Sequence, residues 1–211
     1  MDEKLSIYGE REVAADYDQR WSGAGGRARD LRKQRAILRA LGELRGVESV
    51  LDVPCGTGRM TAFARGRGLR YVGADLAFAM LEQARGKHGD ARFVAASLAQ
   101  LPFADASFDV VLCIRLMHLV RDGELRSAFL REARRVARKA VIVDYRQNRA
   151  LRVWLGTARA AVGLRSRAPG ALAPSVIERE IAAAGLRAAR LIPVRRVPYL
   201  SDKVVVLALK D

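Results

Sequence analysis

The stretch Val50-Leu51-Asp52-Val53-Pro54-Cys55-Gly56-Thr57-Gly58-Arg59 decides how this chain of 211 residues is read. Ser49 to Val53 is a short apolar strand with one acid, Asp52, set among the apolar residues. Pro54 to Gly58 is a turn, and a helix is predicted from about Met60. Glycines at such a turn take backbone angles forbidden to larger residues and let a ligand lie against bare amides. The helix N-terminus adds unpaired N–H donors and a partial positive charge. Together these features predict a nucleotide-type cofactor site at the end of a first strand. Two cofactor classes fit poorly. A dinucleotide fingerprint requires a third glycine at position 61, where Thr61 stands, and a phosphate-cradling loop requires Gly-Lys-Ser/Thr, which the stretch lacks.

Further strand ends carry polar residues. Leu69 to Ala74 reads as a second strand ending at Asp75, roughly 20 residues beyond the glycine turn, where a ribose-binding carboxylate belongs. The plain alternative is a strand-end Asp75 that caps the helix from Leu76 to Arg85. Arg92 to Ala95 is a third strand, followed by Ala96-Ser97-Leu98-Ala99-Gln100-Leu101-Pro102-Phe103. Ser107 to Arg115 is a fourth strand whose apolar run suits burial on both faces of a parallel sheet, and Leu116-Met117-His118-Leu119 follows it.

These stretches together resemble the class I S-adenosylmethionine-dependent methyltransferases. Asp52 through Gly58 resembles their glycine motif, with Pro54 in place of the first glycine, which stiffens the turn and removes one donor. Val72-Gly73-Ala74-Asp75-Leu76 resembles the ribose-binding motif. Ser97-Leu98 stands where the family has an Asp that binds the adenine amino group and a backbone amide that meets the ring. A serine hydroxyl can still accept one hydrogen bond there. Phe108-Asp109-Val110-Val111 with Leu116-Met117-His118 resembles the branch that includes quinone-biosynthesis and small-molecule methyltransferases. The resemblance implies an α/β, Rossmann-like, seven-stranded, mostly parallel sheet with an antiparallel last strand and helices on both faces. It implies S-adenosylmethionine as cofactor, held by Asp52, Pro54, Cys55, Gly56, Gly58, Asp75, Leu76, Ser97, Leu98, Ile114 and Arg115. By position Ile114, Arg115 and His118 line the reaction region. His118 serves either as general base or to orient its loop, and Arg115 either holds an acidic acceptor or is a shielded salt-bridge partner.

The flanks suggest how the site is covered. Residues 1–45 form an N-terminal cap segment, with Tyr8, Tyr17 and Trp21 ahead of a flexible turn, Ser22 to Gly26, and a helix over 27–45. That helix shows an apolar face of Leu31, Ile37, Leu38, Leu41 and Leu44, with Arg29, Arg32, Lys33 and Arg39 mostly outside it. In related enzymes such a segment covers the cofactor, so Tyr17 or Arg27 is within reach of it. The alternative is that the aromatic residues pack the segment down and the arginines are solvated. A helix follows from Asp122 to Arg138 and a fifth strand from Ala140 to Tyr145. Residues 146–174 are read as a basic, amphipathic, acceptor-side insertion ending at Ala168-Pro169-Gly170. One face carries Leu151, Trp154, Leu155, Ala158, Ala161 and Val162, and Arg146, Arg149, Arg152 and Arg159 lie opposite. Such a helix can wall an acceptor pocket, the reading favoured by the resemblance, or make peripheral contact with an anionic membrane through 146–167. Ser175 to Ala184 is a last helix with Ser175 and Glu178 in capping-box spacing. Two strands, Leu186 to Val194 and Lys203 to Leu209, joined through Pro198, complete a single domain over 1–211.

Composition narrows the function classes. The chain has 38 basic and 23 acidic side chains, a net charge of +15, which allows attraction to nucleic acid, anionic lipid or an acidic substrate without choosing among them. Cys55 and Cys113 form no disulfide framework and fit a reduced cytoplasmic setting. Neither lies at metal-ligand spacing from His88 or His118, so no metal is expected. The Met-Asp-Glu-Lys start is not that of a signal peptide. The strand end also lacks the Asn/Asp-Pro-Pro-Tyr/Phe motif of enzymes that methylate exocyclic base amines, so nucleic acid is the less favoured partner. The expected acceptor is a small molecule, anionic or lipid-like, with an RNA methyltransferase and a non-catalytic S-adenosylmethionine-binding protein as rival readings.

Overall fold

A computed structural model describes residues 11–163, 171–195, 197 and 200–210. Tyr8, the Ala168-Pro169-Gly170 break and Pro198 lie outside the described residues. Among the described residues there are seven strands: β1 (Ser49–Asp52), β2 (Arg70–Asp75), β3 (Arg92–Ala95), β4 (Phe108–Cys113), β5 (Ala137–Arg146), β6 (Arg187–Pro193) and β7 (Lys203–Leu209). They form one sheet in the order β3-β2-β1-β4-β5-β7-β6. β1 to β5 pair in parallel, and β7 runs antiparallel between β5 and β6. The strand order reverses between β1 and β4, the place where an open α/β sheet leaves a crevice at its strand ends.

Alternation within the buried strands builds a core on each face. Leu51, Val111, Cys113, Val141 and Val143 meet α6 (Gly123–Val136) and α8 (Pro174–Ala183) through Phe129, Leu130, Ile177 and Ile181. Val50, Val110, Leu112 and Ile142 meet α3 (Ala24–Leu41), α4 (Thr61–Arg65) and α5 (Phe78–Lys87) through Ile37, Ala40, Phe63 and Leu81. Every residue of β4 is buried, as its largely apolar run predicts. Asp109, set in that run, lies at the opposite end of the sheet from the glycine turn. It accepts from the amides of Glu48 and Ser49, both at 3.0 Å, and from Arg138 at 2.7 Å. Burial alone would raise its pKa, but these donors outweigh it and hold the pKa at about 2.

Several sequence expectations are corrected. The N-terminal segment is helical on both sides of Gly23: α1 (Arg11–Asp16) and α2 (Gln19–Ser22) precede it and α3 follows. Gly25 and Gly26 therefore lie inside α3 and not in a flexible turn. α3 stops at Leu41 because Gly42 caps it. Its buried strip is Gly26, Lys33, Ala36, Ile37 and Ala40, whereas Leu31 and Leu38 are 51% and 44% exposed. Small residues let this helix approach the sheet closely, and Lys33 is drawn inward by buried Asp144 on β5. β5 starts three residues early because α6 runs directly into it. Pro174 opens α8 one residue early, which moves Ser175 inside the first turn, and the capping box with Glu178 does not form.

α7 (Leu151–Ala161) also turns differently from its helical wheel. Val153 and Ala150 are buried, while Leu151, Trp154 and Leu155 are exposed, Trp154 by 65%. Its apolar stripe faces outward among the described residues. No described helix is long and apolar enough to cross a membrane.

Candidate cofactor site at the strand ends

The site is built where β1, β2 and β4 end side by side. After Asp52 the chain passes through a cis Val53–Pro54 peptide, and the Cys55 amide donates to the Ala74 carbonyl at 2.8 Å. Gly56 and Gly58 have φ of 55° and 77°, a left-handed conformation that side chains resist. The Gly56 amide donates to Asp75 Oδ2 at 2.7 Å, and the Ala77 amide donates to Oδ1 at 2.9 Å. One carboxylate thus ties the glycine turn to the start of α5. Burial raises the Asp75 pKa, against the pull of these amides. Two hydrogen bonds leave further acceptor capacity on a carboxylate, which has about four lone-pair sites.

A cavity of about 540 Å³ opens at this edge. Of the residues expected at the cofactor, it is lined by Tyr17, Asp52, Pro54, Cys55, Gly56, Asp75, Leu76, Ser97, Leu98, Ile114 and Arg115. Two expected site residues do not line it. Gly58 faces the helices, where a Cβ would meet the His88 ring at 3.0 Å and Ala84 at 3.3 Å. His118 is not among the lining residues and sits in the field of Asp144, Lys203, Lys33 and Arg146. Burial, followed by the neighbouring cations and opposed by Asp144, pulls its pKa down to about 4. Ser97 lines the cavity, but its hydroxyl also accepts from the Ala99 amide at 3.1 Å, closing a local turn. Asp52 is fully enclosed. Burial raises its pKa to about 7, despite a hydrogen bond from the Tyr71 hydroxyl at 2.9 Å and the nearby charge of Arg115.

Several residues at the site escaped the sequence reading. Arg59 lines the cavity with its guanidinium 3.7 Å from the centre of the Trp21 ring. Arg115 lies against the same ring at 4.5 Å, and both guanidinium groups pair with Asp30, at 2.6 Å and 3.2 Å. Arg115 is therefore both a salt-bridge partner and a lining residue. Its φ of 70° is costly for a side chain, and its amide donates to buried Asp144. The Arg59 pKa is lowered to about 10, by burial first and then by Arg115. Arg59 Nη1 is buried with no hydrogen-bond partner among the described residues. Asp18, just ahead of α2, accepts from the Thr57 hydroxyl at 2.7 Å and pins the N-terminal helices to the glycine turn. Leu116, Leu119, Leu125 and Phe129 make a further part of the lining apolar. A helix that falls on the site from a distant segment leaves no local spacing in the sequence, so Trp21, Asp30 and Arg59 could not be linked from it.

The cavity fits S-adenosylmethionine by its donor set: the Asp75 carboxylate at the second strand end for a diol, apolar walls for a purine, and the Arg59 guanidinium, paired with Asp30 on one side and with Nη1 unpartnered among the described residues, for a carboxylate. Residues 50–140 match the family model described as a methyltransferase domain, and the chain as a whole shares its fold with S-adenosylmethionine-dependent methyltransferases of known structure. It is 37% identical over 108 residues to a malonyl-[acyl-carrier protein] O-methyltransferase of Pseudescherichia vulneris, covering 50% of this chain and 42% of the relative. It is 41% identical over 78 residues to a demethylmenaquinone methyltransferase of Beutenbergia cavernae, covering 37% and 32%. The chain thus spans less than half the length of these curated relatives. The magnesium protoporphyrin IX methyltransferase of Synechocystis PCC 6803, solved with bound SAH, superposes with a TM-score of 0.75 at 17% identity, covering 99% of this chain and 98% of that one.

Proposed function

We propose that this protein transfers the methyl group of S-adenosylmethionine to a small-molecule or lipid-precursor acceptor. The observation that carries the reading is the convergence of Gly56, Asp75, Ser97 and Ile114, from four separate strand ends, on one cavity. When bound, S-adenosylmethionine supplies a methyl group already activated by its sulfonium charge. Asp75 accepts from the ribose hydroxyls, Leu98 and Ala99 meet the adenine, and Arg59 takes the carboxylate. Tyr17 and the N-terminal helices close over the site and exclude water. Ile114 and Arg115 stand at the reacting end, and the lining of Leu116, Leu119, Leu125 and Phe129 receives the acceptor. Most of the acceleration then comes from holding both partners in line, worth up to about 7–11 kcal/mol when the geometry is good. His118, outside the cavity lining and pulled down to about 4, is too weak a base for neutral pH and serves to orient its loop. The lipid-precursor reading draws on the outward apolar stripe of α7, flanked by exposed Arg149 and Arg159, which suits contact with an anionic membrane.

The test uses Asp75→Asn, which keeps the side-chain shape, removes the charge and leaves one oxygen in place of the two that accept from the Gly56 and Ala77 amides. Two charge-assisted hydrogen bonds at about 1.5 kcal/mol each predict roughly a hundredfold weaker binding of S-adenosylmethionine by calorimetry. Unchanged affinity in a folded Asp75→Asn protein would remove the ribose assignment. The acceptor is then sought by incubating a cell extract with labelled methyl donor and identifying the labelled product by mass.

A further inference from the structure

A second cavity, of about 230 Å³, adjoins the first and shares Arg115 with it. Its walls come from α3, the end of β5, the residues after β6 and the start of β7. Seven basic side chains line it against two acids, Asp30 and Asp202. Part of that charge is compensated: Lys33 pairs with Asp144, Arg115 with Asp30 and Arg146 with Asp202. Arg32, Arg195 and Lys203 pair with no carboxylate among the described residues. Lys203 is partly buried, and burial together with Lys33 and Arg146 lowers its pKa, with Asp144 and Asp202 opposing. The Trp21 ring nitrogen, on a residue of the same lining, is buried without a hydrogen-bond acceptor among the described residues.

The overall +15 does not by itself produce such a cluster. Among the described residues, buried Arg126 is matched by Glu180, and exposed cations such as Arg45 lie in open solvent where repulsion is screened. Like charges gathered around a recess repel more strongly than on an open surface, and an anion entering it relieves that repulsion. Guanidinium forks and an ammonium group also present the donor geometry that phosphate and carboxylate oxygens accept. We propose that this second cavity binds the acidic group of the methyl acceptor, a phosphate or a carboxylate, through Lys203, Arg195 and Arg32, with Arg115 at the junction with the donor cavity. That the anion belongs to the acceptor rests on the methyltransferase reading, whereas the existence of the anion site does not.

The experiment titrates the full chain with pyrophosphate and, separately, with citrate, by calorimetry at low ionic strength. Three proteins are compared: the native chain, Lys203→Gln/Arg195→Gln, and Arg45→Gln, which removes an exposed charge from the opposite end of the sheet. The native chain is expected to bind one anion per molecule. The double variant is expected to bind it about tenfold or more weakly, from the loss of two charge-assisted contacts, and Arg45→Gln to bind as the native chain does. The melting temperature of the double variant should not fall, since like charges have been removed from one recess. Saturation by pyrophosphate alone assigns a phosphate group, and by citrate alone a carboxylate. Equal binding by the native chain and the double variant, or no binding of either anion by the native chain, overturns the proposal. S-adenosylmethionine is titrated in parallel: its failure to bind the native chain refutes the methyltransferase reading while leaving the anion result standing.

Discussion

Replacing Lys33 with Met isolates the interaction that joins the N-terminal segment to the sheet. Lys33 and Asp144 are 4% and 2% exposed and pair with each other. Breaking a buried pair on one side costs about 3–5 kcal/mol, because the remaining charge is stranded. Asp144 keeps the hydrogen bond from the Arg115 amide, so the lower end, about 3 kcal/mol, is expected. For a domain of this size that corresponds to a fall in melting temperature of about 6–12 °C. Urea unfolding followed by circular dichroism measures it. Lys33→Met/Asp144→Asn, which removes the stranded charge and keeps an acceptor for Arg115, should recover more than half of the loss. The deficit should also depend on pH. In the native chain burial raises the Asp144 pKa, but Lys33, His118 and the Arg115 amide outweigh it and leave the pKa lowered. That contribution is present above the unfolded carboxylate value of about 3.9 and is lost as pH falls below it. Without Lys33, burial wins and the folded pKa rises, so the variant is most stable where Asp144 is protonated. The gap between the two proteins should therefore narrow from pH 7 toward pH 4. A loss under about 1 kcal/mol, or a double variant no better than the single, would refute the assignment of Lys33 as the partner that stabilises buried Asp144.

Gly26→Ala should disturb the same segment from another direction. A Cβ at Gly26 would lie 2.5 Å from the Trp21 Cα and 2.6 Å from its carbonyl, and backbone cannot rotate away. A destabilisation of about 1–3 kcal/mol is expected in urea, with weaker S-adenosylmethionine binding as Trp21 shifts under Arg59. Native-like stability and affinity would show that α2 and α3 are not packed as described. Asp52, raised to about 7 by burial, should make binding of the sulfonium pH-dependent. Affinity for S-adenosylmethionine should fall from pH 8 to pH 6 as Asp52 takes up a proton, and affinity for the uncharged thioether S-adenosylhomocysteine should fall less. Parallel pH profiles for the two ligands in calorimetry would exclude Asp52 as the group that senses the sulfonium charge.

The apolar runs of β1, β4 and β5, the glycine turn and the acid at the end of β2 were legible in sequence because they depend on local rules. A strand buried on both faces must be apolar throughout, a left-handed turn favours glycine, and a parallel crossover brings successive strand ends to one edge. That is why the strand ends carrying Gly56, Asp75, Ser97 and Arg115 could be placed along one edge from sequence. The orientation of helices was not legible in the same way. Hydropathy put Leu31 and Leu38 inward and Lys33 outward on α3, but small residues and a buried carboxylate 111 positions away reversed the choice. On α7 the same periodicity gave a stripe that turns away from the core. Pairings such as Lys33 with Asp144, Asp18 with Thr57, and Asp30 with both Arg59 and Arg115 join segments far apart in the chain. Their partners are chosen by which side chains share a desolvated space, a condition that exists only once the sheet has formed. The primary structure thus determined the sheet and its glycine-lined edge, while packing alone decided which charges are enclosed beside that edge and which remain without a counterion.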